Sequence, residues 1–226
     1  MRGRVDGVAP DASDILQRSW NAFTREQAAG YLKSIGHPSP NSRRILADVL
    51  LGMGKTISVL DLGCGNANLL EYLRHRGLTG AYTGVEFSEP LLEAARTAFA
   101  ADQAAHFVRA DVNDLVGVSG SFDVAVYSHV IEMLGSPEQS LCAARRLARA
   151  VVIRFFEPPD HDFDAVEIRE MDVGGERTVP YLRRRMGRDY YRLVLARLGC
   201  EVVDVYQDDQ ARDQVHVLHY PNASGV

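Results

Sequence analysis

Cysteine, lysine and tryptophan are scarce in this 226-residue chain. It holds three cysteines (Cys64, Cys142 and Cys200), two lysines and a single tryptophan, Trp20. Three scattered thiols exclude a disulfide framework and a structural zinc site, and they suit a reducing cytoplasm. An excess of positive charge is also absent. With 25 basic and 30 acidic side chains the formal net charge is -5, which argues against nucleic acid as the main partner. No run of about eighteen apolar residues is present, so no membrane span is expected. The opening MRGRVDGVAPDAS has no apolar stretch behind it and does not read as a secretory signal. Histidines and carboxylates are dispersed, so no metal site is expected. Repeats and low-complexity segments are missing. What remains is a chain with 46% apolar and 24% charged residues, enough for one generous domain with a sizeable core.

The first fifty residues read as helical. Leu16, Trp20 and Phe23, with Tyr31 later, recur at three-to-four spacing behind candidate caps Asp11 and Ser13. Pro38 and Pro40 interrupt the pattern, and Asn41 or Ser42 can cap a second helix that stops at Gly52 and Gly54. From residue 57 apolar strands alternate with helices. The strands are 57–62, 81–86, 106–109, 122–127 and 151–156, and Ser136-Pro137-Glu138-Gln139 has the form of a capping box. This alternation indicates a parallel sheet with helices on both faces. Runs 165–173 and 177–181 around Gly174-Gly175 predict a hairpin, and a helix over 188–198 ends at Gly199. The last runs, 202–206 and 215–220, are joined by a loop too short for a parallel crossover and should be antiparallel.

The segment Val59-Leu60-Asp61-Leu62-Gly63-Cys64-Gly65-Asn66-Ala67-Asn68 carries the strongest chemical signal. An apolar strand ends in a carboxylate, and a glycine turn lets a ligand approach the backbone. Asn68 stands where a dinucleotide fingerprint needs its third glycine, and the Gly-Lys-Ser/Thr ending of a P-loop is missing. A smaller nucleoside with a cationic amino-acid tail fits better. Asp61 would attract the ammonium and backbone N–H groups of the turn would hold the carboxylate. At the next strand end Glu86 can accept from both ribose hydroxyls, and Phe87 beside it can stack on a base. After the third strand, Asp111 can accept from an exocyclic amine while the Val112 N–H donates to a ring nitrogen. The fourth strand ends in Ser128-His129 beside the same cleft.

These segments in this order, VLDLGCGNANLL, YTGVEFSEPLLEAAR, RADVNDL and FDVAVYSHVIEML, resemble a class I S-adenosylmethionine-dependent methyltransferase over residues 57 to 156. The resemblance implies an α/β, Rossmann-like three-layer sandwich. Its seven-stranded, mainly parallel sheet would have the order 3-2-1-4-5-7-6, with strand 7 antiparallel. It implies S-adenosyl-L-methionine as cofactor and S-adenosyl-L-homocysteine as product. It gives the turn Gly63-Cys64-Gly65-Asn66 and Asp61 to the methionine end, Glu86 to the ribose and Asp111 to the adenine. Ser128 and His129 would form the floor of the site. Asn68 for glycine, and Met133-Leu134 for His-Leu, depart from the usual pattern.

Outside that half, residues 1–54 are expected to form a helical lid. The methyltransferase domain would run over 55–226 with a substrate-side insert at about 157–187. His129 is the first candidate base, with Glu157 and His161 behind it; His129 can equally be a cofactor contact or a buried polar group. Glu132, a helical turn beyond His129, can face the same way or serve as a helix-face carboxylate. Tyr31 and His37 are candidate acceptor contacts from the lid. Arg185, in the Arg183–Arg185 group that follows the expected hairpin, is a candidate partner for an anionic acceptor. The expected acceptor is an oxygen or nitrogen of a small molecule such as a secondary metabolite, sugar or amino-acid derivative, and the expected state a monomer or homodimer. A cofactor-binding protein without transfer activity, or another transferase chemistry on the same cofactor, stays open at this point.

Overall fold

The computed structural model describes residues 15, 19–34, 40–174, 177–207 and 213–220. Helices α1 (Arg25–Ser34) and α2 (Pro40–Met53) come first. Alternation follows: β1 (Val59–Leu62), α3 (Asn68–His75), β2 (Tyr82–Glu86), α4 (Glu89–Ala98), β3 (Ala105–Arg109) and β4 (Phe122–Ser128). After a short 3-10 turn at Ile131–Met133 come α5 (Pro137–Arg145) and β5 (Ala148–Phe155). The hairpin β6 (Ala165–Gly174) and β7 (Arg177–Arg185) precedes α6 (Arg188–Leu198), β8 (Glu201–Gln207) and β9 (Gln214–His219).

Seven strands form one sheet in the order β3-β2-β1-β4-β5-β9-β8, while β6 and β7 pair by themselves. Strands β1 to β5 are parallel, and β9 runs antiparallel between β5 and β8. With the hairpin set aside, this is the expected 3-2-1-4-5-7-6 order. Side chains alternate across each strand. Leu60, Leu62, Ala125, Tyr127, Val151 and Ile153 point to the face covered by α5 and α6. Val59, Tyr82, Val124, Val126 and Val152 point to the face covered by α2 and α3. Leu46, Ala47 and Leu50 of α2 are fully buried there, so α2 packs as a layer of the sandwich. The segment around α1 packs differently. Phe23 and Ala28 meet Leu91 of α4 and Val179 of β7, bridging the nucleotide side to the hairpin.

Several local expectations change. The hairpin's second strand runs to Arg185, so the arginine group lies within β7 and alternation divides it. The segment after β4 is a 3-10 turn, and His129 precedes it with a positive φ of 60°. The Ser136 side chain makes no capping bond; only its carbonyl receives the Gln139 N–H. Ser88 also leaves its helix uncapped, and its hydroxyl instead reaches the Trp20 carbonyl at 2.5 Å. The candidate caps Asp11 and Ser13 lie outside the described residues. No helix among the described residues is long and apolar enough to cross a membrane.

Candidate functional site

Asp61 and Glu86 end neighbouring parallel strands, and the register sets Asp61 beside Gly84. Both acids belong to the face of the sheet that carries Val59 and Tyr82, and both are buried. Tyr82 donates to Asp61 Oδ2 at 2.5 Å. Burial nevertheless pushes the Asp61 carboxyl up to about 6, against the Tyr82 bond and the Arg43 charge. Glu86 accepts from the Gly65 N–H at 3.0 Å and the Ser88 N–H at 2.9 Å, yet burial lifts it to about 7. Neither acid has an ion-pair partner within 4 Å among the described residues.

The turn between them follows from its glycines. Gly63 has φ +75°, and a Cβ there would come within 2.6 Å of Val130, just past the end of β4. Gly65 has φ +57°, and a Cβ there would meet nothing within 4 Å, so the backbone at Gly65 lies open to a ligand. The turn's donors are used differently from the expectation that they hold a carboxylate. The N–H groups of Gly63 and Cys64 both reach the Val85 carbonyl, and Ala67 bonds back to Cys64. Cys64 contributes backbone rather than a side-chain contact. Its thiol is buried against Gly84, where any Cβ would come within 2.7 Å of the sulfur.

Arg43, which sequence reasoning missed, brings a cation to bear on Asp61. It projects from α2, and burial lowers its guanidinium to about 10 while Asp61 and Glu71 oppose the fall. A single arginine near the start of an amphipathic helix gives little signal; only the face of Asp61 reveals its role. Asn66 sends its amide to the Ala28 carbonyl of α1 at 3.1 Å, and Asn68 holds Asn66 Oδ1 at 2.8 Å. The departure at Asn68 therefore carries a bond that ties the turn to α1.

The remaining nucleotide-side candidates surround the same strand ends. Phe87 is half-buried beside Glu86. Asp111 is half-buried, with Oδ1 engaged by the Asn113 backbone and amide at 2.8 Å. Val112 is buried, and its carbonyl receives the Ser140 hydroxyl. Ser128 accepts from Arg154 at 3.4 Å.

The acceptor-side candidates are less united. His129 stacks on Phe156 with centroids 3.4 Å apart, and its Nε2 lies 2.9 Å from Asp213 Oδ2. Burial, aided by Arg154 and Arg183, lowers its imidazole to about 4 despite Asp213. Glu132 shares Phe156 and the Arg183 charge with His129, but its carboxylate is taken up by backbone. It accepts the N–H groups of Phe156 and Glu157 at 2.9 and 3.0 Å and fixes the turn after β5. Glu157, the second candidate base, is ion-paired: Arg185 lies 3.1 Å and Arg183 3.8 Å from its carboxylate. Arg185, the candidate partner for an anionic acceptor, also faces Glu167 and lies over the Phe163 ring. His161 is held by Asp160 at 3.1 Å and stacked on Phe163, with no contact shared with His129. Arg184, pointing the other way, binds Asp164 at 2.6 Å and covers Tyr190. Tyr31 lies in α1, but its side chain and all of His37 fall outside the described residues.

Acids at the ends of β1 and β2 on either side of a glycine turn, in a sheet of this order, form the arrangement that the sequence resemblance implies. The comparisons agree. The profile of a methyltransferase domain family matches residues 60–151. A malonyl-[acyl-carrier protein] O-methyltransferase of Pseudescherichia vulneris is 32% identical over 110 residues, 47% of this chain and 42% of that one. A 2-heptyl-1-hydroxyquinolin-4(1H)-one methyltransferase of Mycobacteroides abscessus is 27% identical over 182 residues, 73% of this chain and 77% of that one. Among solved structures, the CcbJ methyltransferase of Streptomyces caelestis superposes with a TM-score of 0.65 at 20% identity, over 81% of this chain and 96% of that one. The chain spans about half the length of the first curated relatives it matches, 49% and 42% of them. Residues 60–151 are thus similar to a methyltransferase domain, and the fold is the one shared by the solved methyltransferases.

Proposed function

We propose that this protein moves the methyl group of S-adenosyl-L-methionine to an oxygen or nitrogen of a small molecule, in the reducing cytoplasm. One observation carries the reading: two buried carboxylates, with no ion pair within 4 Å among the described residues, flank a glycine turn that opens at Gly65. Burial raises the pKa of both, which marks a site short of positive charge, and a ligand with an ammonium and a sulfonium would supply it. The residues present therefore fit this cofactor. Asp61 would face its ammonium and Arg43 its carboxylate, while Glu86 would take the ribose hydroxyls. Phe87, Asp111 and Val112 would take the adenine.

The bound cofactor supplies a methyl group already activated on a positively charged sulfur. The chain's own task is to bind, orient and exclude water, and orientation alone can contribute about 7–11 kcal/mol to such a reaction. The α1 segment and the hairpin, joined through Phe23, Ala28 and Val179, would close over the acceptor. A small-molecule acceptor is supported by the hydroxyquinolinone relative.

Calorimetry with S-adenosyl-L-methionine and S-adenosyl-L-homocysteine tests the reading. Both should bind, and Glu86→Ala should weaken both by about 1–3 kcal/mol through lost charge-assisted bonds. Release of S-adenosyl-L-homocysteine in the presence of hydroxylated quinolones, quinols or amines would then report transfer. No affinity for either molecule would end the proposal, and unchanged affinity in the variant would remove Glu86 from the site.

A further inference from the structure

Asp213 lies just ahead of β9, outside every motif in the sequence, yet it joins the ends of β4 and β5. Its Oδ2 receives Arg154 Nε at 3.0 Å and Nη2 at 2.5 Å, and it lies 2.9 Å from His129 Nε2. The Arg154 side chain is only 3% exposed, so the acid's position is set by a buried partner. Burial alone would raise Asp213, but the His129 bond and the Arg154 charge hold it below the usual carboxylate range. An ionised carboxylate can only accept, so His129 Nε2 must carry the ring proton. In a neutral imidazole this leaves Nδ1 as a bare lone pair. Nδ1 has no hydrogen-bond partner among the described residues.

The ring is held from other directions as well. The His129 N–H bonds to the Arg154 carbonyl at 3.0 Å, and Phe156 covers one face of the imidazole. Arg183 in turn lies over Phe156, 4.9 Å from its centroid. The next residue, Val130, abuts Gly63, which places His129 at the glycine turn's end of the cleft. The charged groups that bear on the imidazole are Asp213 from the segment before β9, Arg154 from β5 and Arg183 from β7.

We propose that Asp213, locked by Arg154, is a positioning residue that fixes the Nε2–H tautomer of His129 and turns Nδ1 to a hydroxyl acceptor of the phenol or enol class. This deepens the methyltransferase reading and rests on it. In the step assigned to His129 the acceptor O–H bond breaks, its proton passes to Nδ1, and the electron pair stays on the oxygen to be methylated. Two cations near a buried imidazole make it a weak base, which suits an acidic hydroxyl and not an aliphatic alcohol. An amine acceptor would have no need of the arrangement.

The tautomer can be read directly. Long-range proton–nitrogen correlation on the full-length protein, with and without S-adenosyl-L-homocysteine, reports which imidazole nitrogen is protonated, and His129→Gln assigns the signal. The wild type should show a neutral ring protonated at Nε2 between pH 6 and 8. In Asp213→Asn the amide can donate to Nε2, so the population should move toward Nδ1–H. With 2-heptyl-1-hydroxyquinolin-4(1H)-one as probe, its turnover should fall by about 10²–10⁴-fold at little change in S-adenosyl-L-homocysteine affinity. A merely structural Asp213 would leave the tautomer untouched. A wild-type proton on Nδ1, an unshifted tautomer in Asp213→Asn, or methylation of amines alone would overturn the inference. The wild-type spectrum decides even if the variant does not fold. Failure of the wild type to bind S-adenosyl-L-homocysteine would instead sink the parent reading.

Discussion

The two ends of the cleft treat buried charge in opposite ways. On the nucleotide side Asp61 and Glu86 are buried among hydroxyl and backbone donors, and burial raises both. On the acceptor side each of three acids meets an arginine: Asp213 with Arg154, Asp164 with Arg184, and Glu157 with Arg183 and Arg185. A buried carboxylate without a counter-charge is a standing cost that a cationic ligand can relieve, whereas a paired one is already settled framework. The contrast separates a surface awaiting a ligand from one that holds its own shape. His129 belongs to the second surface but leaves one nitrogen facing out.

The largest effect should come from breaking the settled side. Arg154→Ala leaves Asp213 enclosed without its cation, and urea unfolding should show a loss of about 3–5 kcal/mol. A loss below about 1 kcal/mol would mean that the pair is solvated and that the contrast fails.

A smaller effect of opposite sign is expected on the other side. Asp61 has a folded value near 6 against an ordinary 3.8, so between those pH values the folded chain holds a proton that the unfolded chain has released. Its contribution to stability therefore falls as pH rises from about 4 to 6. Asp61→Asn can still accept from Tyr82 but escapes that loss. Without ligand the variant should be the more stable protein at pH 8, by at most about 3 kcal/mol, and the gap should close near pH 4. The same variant should bind S-adenosyl-L-methionine less well. Parallel stability curves for the two proteins from pH 4 to 8 would show that Asp61 is ionised throughout, and the idea of an unmet charge would be lost.

Much of the nucleotide side was legible because its signals are local. An apolar strand, a terminal acid and a glycine turn lie within ten residues, and parallel register then sets Asp61 beside Gly84, two residues short of Glu86 on the same face. The acceptor side depends on contacts that no short window contains. His129 and Asp213 are 84 positions apart, and Glu157 meets Arg185 across 28. One clue was available: Arg154 interrupts the run Val151-Val152-Ile153-Arg154-Phe155, and an arginine in a buried strand requires a carboxylate somewhere. The arginine group was misread because the hairpin was ended at residue 181. Once β7 extends to Arg185, period-two alternation sends Arg184 away from Arg183 and Arg185.

The smallest effect concerns how the α1 segment is fastened to the nucleotide side. Its attachments include an apolar one through Phe23, Ala28, Leu91 and Val179, the Ser88 hydroxyl on the Trp20 carbonyl, and a polar relay from Asn68 to Asn66 to the Ala28 carbonyl. Asn68→Ala removes the first bond of the relay and leaves the apolar cluster intact. Global stability should fall by about 1 kcal/mol or less, since a partly exposed neutral bond contributes no more. The local consequence should be clearer than the global one, because amides of α1 would exchange faster while those of β1 and β2 would not. Unaltered exchange in α1 would assign the anchoring to contacts other than the relay, such as Phe23, Ala28 and the Ser88–Trp20 bond. Faster exchange would show that the glycine turn and the covering segment are mechanically joined, so that a ligand ordering one also orders the other.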